Sequence, residues 1–272
     1  MQQFKFHRKD LNLFGEQHVK MVYNQAHFSK FIQRPFSSNA FSEQIKGKSK
    51  EFTIEKRQIL VASLKNQYSR VSANENAISL IESLSSENTF TVTTGHQLSL
   101  FTGPLFFVIK ILQTIKQAEE LNIQYPDKKF IPVYWMATED HDFQEIQKAN
   151  IFSDELIWES SQEGPVGRFD LDGFEIVKSR ISELYANNPE SEIHSLINTY
   201  NGTNLTEAMR NLVHSLFHDF NLIIVDGDDA VLKSVFAPIM KKELETSFSE
   251  KAVLETNGEL EKVGGKVQIH AR

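Results

Sequence analysis

Two short polar runs carry the groups with which this sequence could do chemistry. The first, Thr94-Gly95-His96-Gln97, sets a glycine beside an imidazole and an amide. A glycine lets backbone come close to a ligand, and His96 and Gln97 bring hydrogen-bond donors to it. The run therefore reads as a cradle for a phosphate or an adenylate, or more plainly as a turn with a capping threonine. The second, Glu139-Asp140-His141-Asp142, crowds three carboxylates and an imidazole into four residues. Such a group is costly unless solvated, paired or put to use. Put to use, it could hold a substrate amine, bind Mg²⁺ or take a proton from a nucleophile; otherwise it is a solvated acidic loop. A third acidic run, Asp226-Gly227-Asp228-Asp229, closes a later apolar segment.

Other residues weigh less. Lys110 lies among apolar neighbours, where it either projects toward the first run or snorkels to solvent. His214 and His218 are spaced one helical turn apart, as metal ligands often are. No acidic residue separates them, and a helix C-terminus welcomes their partial positive charge, so no metal is assigned. A metal-phosphohydrolase reading of His141-Asp142 would need further ligands on neighbouring helices, and this dipeptide follows a strand. The common phosphate motifs are absent. Gly95 and Gly103 do not fit G-x-G-x-x-G, and the Gly-Lys pairs at 47–48 and 265–266 have Ser42 and Leu260 where a P-loop needs glycine.

The elements that must position these runs follow from pattern. "TFTVTTG" is β-branched and ends in glycine, a short strand. From Pro104 the sequence turns helical, because Leu105, Val108, Leu112 and Ile115 share one face and proline suits a first turn. "FIPVYWMAT" is a nearly continuous apolar strand, as expected where both faces are covered. Strand, helix and strand make a right-handed βαβ unit. A helix, "TEAMRNLVHSLFHDF", a strand, "NLIIVDGDD", and a helix, "AVLKSVFAPIMKKELETSF", continue it. Ligands in such a sheet lie beyond the carboxyl ends of the strands, where all three polar runs fall. The expected organisation is α/β. Residues 1–88 form a helical segment, 89–150 the first βαβ part, 151–203 a connecting insertion with turn signals at Gly164-Pro165 and Asn201-Gly202, and 204–272 the continuation. "KVQIH" alternates like a final strand, and the chain looks cut off inside it.

The bulk numbers exclude several classes. The chain has 272 residues, 40% hydrophobic and 24% charged, which is ordinary for a globular protein with a proper core. A formal charge of −7 opposes nonspecific nucleic-acid binding. There is no cysteine, hence no disulfide, thiolate nucleophile or cysteine-based zinc site. The start has no signal-peptide core, and the longest compact apolar run, Leu105 to Ile109, is far too short for a membrane span. Cytoplasm is the default.

In combination the runs resemble the cysteine-adding enzyme family of bacillithiol biosynthesis, BshC. Its T-G-Q-Q element corresponds to residues 94–97, with His96 where glutamine is commoner; either can donate to a phosphate oxygen. Its G-P-L element with a lysine five residues after the leucine matches Gly103-Pro104-Leu105 and Lys110. Its E-D-H-D-F-x-E strand end matches Glu139 to Glu145. The resemblance implies a Rossmann-like parallel sheet similar to the class I aminoacyl-tRNA synthetase core, and a chain about half the family's length. It implies a ligase that joins the cysteine carboxyl to the amine of glucosaminyl-malate in the last step of bacillithiol synthesis. By analogy with the synthetases, ATP supplies the activation through an acyl-adenylate. Thr94, Gly95, His96, Gln97, Gly103, Lys110, Glu139, Asp142 and Asp226 then bind substrate or nucleotide, while Asp140 and His141 orient the amine or act as base. Partners are small molecules, with no nucleic acid and no membrane, and full-length members are expected to be homodimers. The alternatives are another adenylate-forming or nucleotidyl-transferring enzyme on the same core, or a noncatalytic fragment. The isolated chain is expected to be inactive.

Overall fold

The computed structural model describes residues 5–34, 37, 39–69, 75–267 and 269–270. The chain divides into a smaller unit, Met1–Glu51 with Val235–Arg272, and a larger one, Phe52–Ser234. Neither boundary coincides with the expected divisions after residues 88, 150 and 203. The smaller unit opens with helices α1 (Glu16–Tyr23) and α2 (Ala40–Glu51).

The larger unit begins with α3 (Ile54–Tyr68), whose first turn is capped by Thr53, and α4 (Glu75–Ser83). Strand β1 (Thr89–His96) leads through a loop to α5 (Phe106–Gln124) and β2 (Lys129–Met136). A one-turn helix, α6 (Phe143–Ile146), precedes the hairpin β3 (Lys148–Ile151) and β4 (Asp154–Ile157). Then come α7 (Phe174–Leu184), α8 (Glu192–Thr199), α9 (Leu205–Leu216) and β5 (Ile223–Asp226). Helix α10 (Ala230–Thr246) starts in this unit, and α11 (Phe248–Lys262) belongs to the smaller one.

The main sheet runs β1-β2-β5, all parallel, with Thr89 opposite Lys129, His96 opposite Met136 and Asp226 also opposite Met136. β2 is central, and it is apolar from Phe130 to Met136 because helices cover both its faces. Its side chains alternate between two cores. Tyr134 and Met136 join Phe107 and Ile111 of α5, while Ile131 and Val133 join Leu64, Tyr68 and Ile81 of α3 and α4. The expected insertion is no appendage: Trp158, Phe174, Ile181 and Tyr200 are buried in the α5-side core.

Three local expectations need correction. The helix after β1 starts at Phe106, not Pro104, because residues 101–103 take positive φ values of 48°, 80° and 64°. Two of these are not glycine, a conformation held only when the surroundings over-determine it. Here Phe101 is fixed between Phe174 and Tyr200, at ring-centroid distances of 5.5 and 5.2 Å. Helix α9 stops at Leu216, so His218 lies beyond it and not on the same helix as His214. Finally, Lys266, Val267, Ile269 and His270 form no strand; Gln268, Ala271 and Arg272 fall outside the described residues. A strand needs a neighbour, and the described residues of the smaller unit hold none.

Candidate functional site

The loops at the carboxyl ends of β1 and β2 meet through one side chain. The Gln97 amide nitrogen donates to Asp140 Oδ2 at 3.0 Å and to Glu145 Oε2 at 2.6 Å. Asp140 turns its other oxygen back on its own loop, accepting from the backbone N–H groups of His141 at 2.7 Å and Asp142 at 3.1 Å. The Gln97 amide foremost, then these N–H groups, hold the Asp140 carboxyl below its ordinary range against the opposing effect of burial. Asp140 is therefore an anion at neutral pH and a weak base. Asp142 caps α6 by accepting from the Glu145 N–H at 3.2 Å, and the His141 ring is exposed above it.

On the β1 side, Lys110 donates its ammonium hydrogen to the Gly95 carbonyl and lies 5.4 Å from the centre of the Phe106 ring. It projects to the cleft end of the helix. The His96 ring stands edge-on to Phe107 at 5.3 Å, with Nδ1 3.0 Å from the Gln97 carbonyl oxygen. Thr94 is half-buried within β1. Gly95 is exposed, and the nearest atom to a Cβ placed there would be 3.7 Å away, so the fold itself does not demand glycine. Gly103 differs: its φ is positive and a Cβ would press Ser99 at 2.6 Å, which makes it a requirement of the turn.

The end of β5 joins the same rim. The Thr138 hydroxyl donates to Asp226, and the Asp228 N–H donates to Thr138 Oγ1 at 2.8 Å and Asp226 Oδ1 at 3.0 Å. Burial pushes the Asp228 carboxyl up, yet Arg168 at 2.5 Å and the paired Lys233 bring it below its ordinary range. Gln67 of α3 accepts from the Asp226 N–H at 2.9 Å and from Arg210 at 3.1 Å, and donates to Asp229 at 3.2 Å. Arg210, buried in α9, also donates to the Ile224 carbonyl at 2.9 Å. Gln67, Arg168, Arg210, Asp226, Asp228 and Asp229 line a cavity of about 320 Å³. Glu139 accepts from the Trp135 indole at 3.3 Å, while its second oxygen is buried without a partner against Gly227.

Sequence reasoning missed Gln67, Gly167, Arg168 and Arg210. Residues 166 and 167 dock on the end of β2, with Val166 N–H donating to the Asp140 carbonyl at 2.7 Å and Gly167 N–H to Thr138 at 3.0 Å. A Cβ at Gly167 would lie 2.6 Å from Thr138 Cβ, so only glycine permits this approach. Gly164-Pro165 signalled the turn but not its destination. Gln67 and Arg210 had no signal, since each occupies an ordinary helical position. His214 is elsewhere, edge-on to Tyr68 at 5.5 Å in a cavity of about 200 Å³ with Asn76 and Asn221. Among the described residues no three His, Asp or Glu side chains form a group that could hold a metal ion, and no helix is long and apolar enough to cross a membrane.

All of these site residues fall inside one match. Residues 6–272 fit the family model described as Bacillithiol biosynthesis BshC, N-terminal Rossmann-like domain. The chain belongs to the BshC family. A BshC relative from Flavobacterium johnsoniae is 43% identical over 235 residues, covering 85% of this chain and 44% of the relative. One from Christiangramia forsetii is 33% identical over 272 residues, covering 97% and 50%. One from Staphylococcus carnosus is 28% identical over 165 residues, covering 55% and 30%. All three carry the name "Putative cysteine ligase BshC". The chain spans about half the length of the first two. The BshC match agrees with the three-strand parallel sheet, and the fold is Rossmann-like.

Proposed function

We propose that this chain forms part of a ligase that joins the carboxyl group of cysteine to the amine of glucosaminyl-malate, completing bacillithiol. The names of the relatives support a cysteine ligase. The observation that carries the reading to these residues is the Gln97 bridge, which ties the β1 run to Asp140 and Glu145 in one cleft.

Amide formation from a free carboxylate must expel an oxygen, and that oxygen needs to be made a leaving group. ATP would supply that activation when bound. The residues present fit its phosphates at the end of β1. Gly95 leaves backbone uncovered where the fold tolerates a Cβ, and Lys110 sets a cation beside it. His96 adds a ring nitrogen. At the end of β2, Asp140 and Glu145 make an anionic pair suited to an ammonium group. The amine must lose a proton before it attacks, and the exposed His141 imidazole is the neighbouring group able to take it.

The test is an assay of amide product by mass spectrometry, with cysteine, glucosaminyl-malate and ATP supplied to the full-length Flavobacterium johnsoniae relative. Product is expected, with a loss of about 100-fold or more when the residue aligned with Gln97 is replaced by leucine. This 272-residue chain alone is expected to give none. No product from the full-length relative, or an undiminished rate in its leucine variant, would overturn the reading.

A further inference from the structure

The amino end of β5 adjoins a cavity that the proposed chemistry does not use. Asp226, at the other end of the strand, stands on the candidate rim, whereas Leu222 and Ile224 help enclose about 200 Å³ between α4 and α9. The deep wall is apolar, made by the buried Leu80, Val213, Phe217 and Leu222. Asn76, His218, Phe220 and Asn221 are exposed and form the mouth, where the two asparagine amides bond to each other.

One polar atom of this wall has no explanation within the fold. His214 Nε2 is buried, and none of the described residues forms a hydrogen bond with it. Burial first, then Arg210, push the imidazole down from 6.5 to about 4, so at neutral pH the ring is an uncharged hydrogen-bonding group. Such a nitrogen is costly to leave unpaired.

Several kinds of occupant compete for it. A metal ion would need His218 as well, but that ring has Nδ1 3.0 Å from the Ser215 carbonyl oxygen and Nε2 3.2 Å from Asp219. An anion finds no lysine or arginine in the lining, and the Asp219 carboxylate stands beside His218 at the mouth. Water needs two to four polar partners, and the deep side chains offer it only the imidazole. A water held so poorly is readily displaced by an apolar group.

An uncharged molecule with an apolar body and one polar group meets every condition. An apolar cavity of about 150 Å³ accepts a benzene ring, so one of about 200 Å³ takes a ring with a small substituent. A hydroxyl is the substituent that fits, because it both donates and accepts and so satisfies Nε2 in either tautomer of the imidazole.

We propose that this cavity is a binding site for a small hydroxyaromatic molecule of the size of phenol. Its ring packs among Leu80, Val213, Phe217 and Leu222, and its hydroxyl pairs with His214 Nε2. The site lies at the opposite end of β5 from Asp226, so the bound molecule is no reactant in the ligase step. The inference goes beyond the ligase reading and stands apart from it, since its test measures no turnover.

Phenol is the probe, with toluene as the ring that lacks the hydroxyl. Long-range ¹H–¹⁵N correlation spectra of this chain at neutral pH read the His214 ring nitrogens directly. Phenol should shift Nε2 along a saturable curve with a Kd of about 1 mM or tighter. Toluene, followed on the methyl signals of Leu80 and Val213, should bind roughly 10-fold more weakly or worse. His214→Leu should erase that preference. No saturable shift of Nε2 up to about 20 mM phenol overturns the proposal and leaves the cavity to water. Equal affinity for the two probes in the unaltered chain also overturns it, because the imidazole then takes no part. That comparison needs no variant, so it decides the matter even where His214→Leu fails to fold.

Discussion

Two glycines at the strand ends have opposite reasons for being glycine. A Cβ at Gly227 would overlap the buried Glu139 oxygen and come within 2.8 Å of the Met136 carbonyl, a backbone atom that cannot yield. Gly227→Ala should therefore cost about 1–3 kcal/mol, read as a lower urea midpoint with an unchanged m-value. Gly95 meets nothing closer than 3.7 Å, so Gly95→Ala should leave that midpoint alone. In the proposed ligase the aligned alanine should nonetheless reduce turnover, because the methyl occupies the space the phosphates need. His214 supplies a pH signature. Burial first, and Arg210 second, push its imidazole down from 6.5 to about 4. The folded state keeps it neutral while the unfolded chain binds a proton below 6.5. Stability is thus complete above pH 6.5 and declines as the pH falls toward 4, by up to about 3 kcal/mol. His214→Leu should flatten that slope in denaturation measured across the window.

Among the elements, α3 and α9 hold β5 by side chains and not only by packing. Arg210 reaches the Ile224 carbonyl and Gln67, and the Tyr68 hydroxyl accepts from the Ile224 N–H at 2.8 Å. Arg210→Met keeps the stem but strands these acceptors, so it should lower stability by about 2 kcal/mol or more in urea titration. This bracing is where reading from sequence ran out. The strands were legible because β2 shows unbroken apolar character and β1 ends in a glycine-polar run, and the shared cleft followed from parallel winding. The grouping of Gln97 with Asp140 was implied by that cleft, though not the amide contact itself. Gln67 and Arg210 could not be found, because period and composition do not say that one helical side chain will meet a strand residue 159 positions away, or that the two will meet each other across 143. The approach of Gly167 to Thr138 was hidden for the same reason: loop destinations depend on tertiary contacts. The final strand was misjudged because alternation alone does not make one, and the described residues of the smaller unit offer no strand to pair with.

For the whole molecule, both buried cores lie within Phe52–Ser234. A polypeptide of residues 52–234 should therefore fold by itself, with a single cooperative thermal transition and dispersed amide resonances. A molten, non-cooperative product would show that the terminal segments are needed to close the sheet. The sheet order also imposes a timetable. β2 is complete at Met136, but its second partner ends at Asp226, about 90 residues later. At synthesis rates of about 5–20 residues per second, the nascent chain waits roughly 5–18 s with the far side of β2 unpaired. During that interval Ile131 and Val133 have only α3 and α4 to shelter them, and the Tyr68 hydroxyl awaits an amide not yet made. A trigger-type chaperone at the ribosome exit would find its target there, in a strand that sends apolar side chains to both faces.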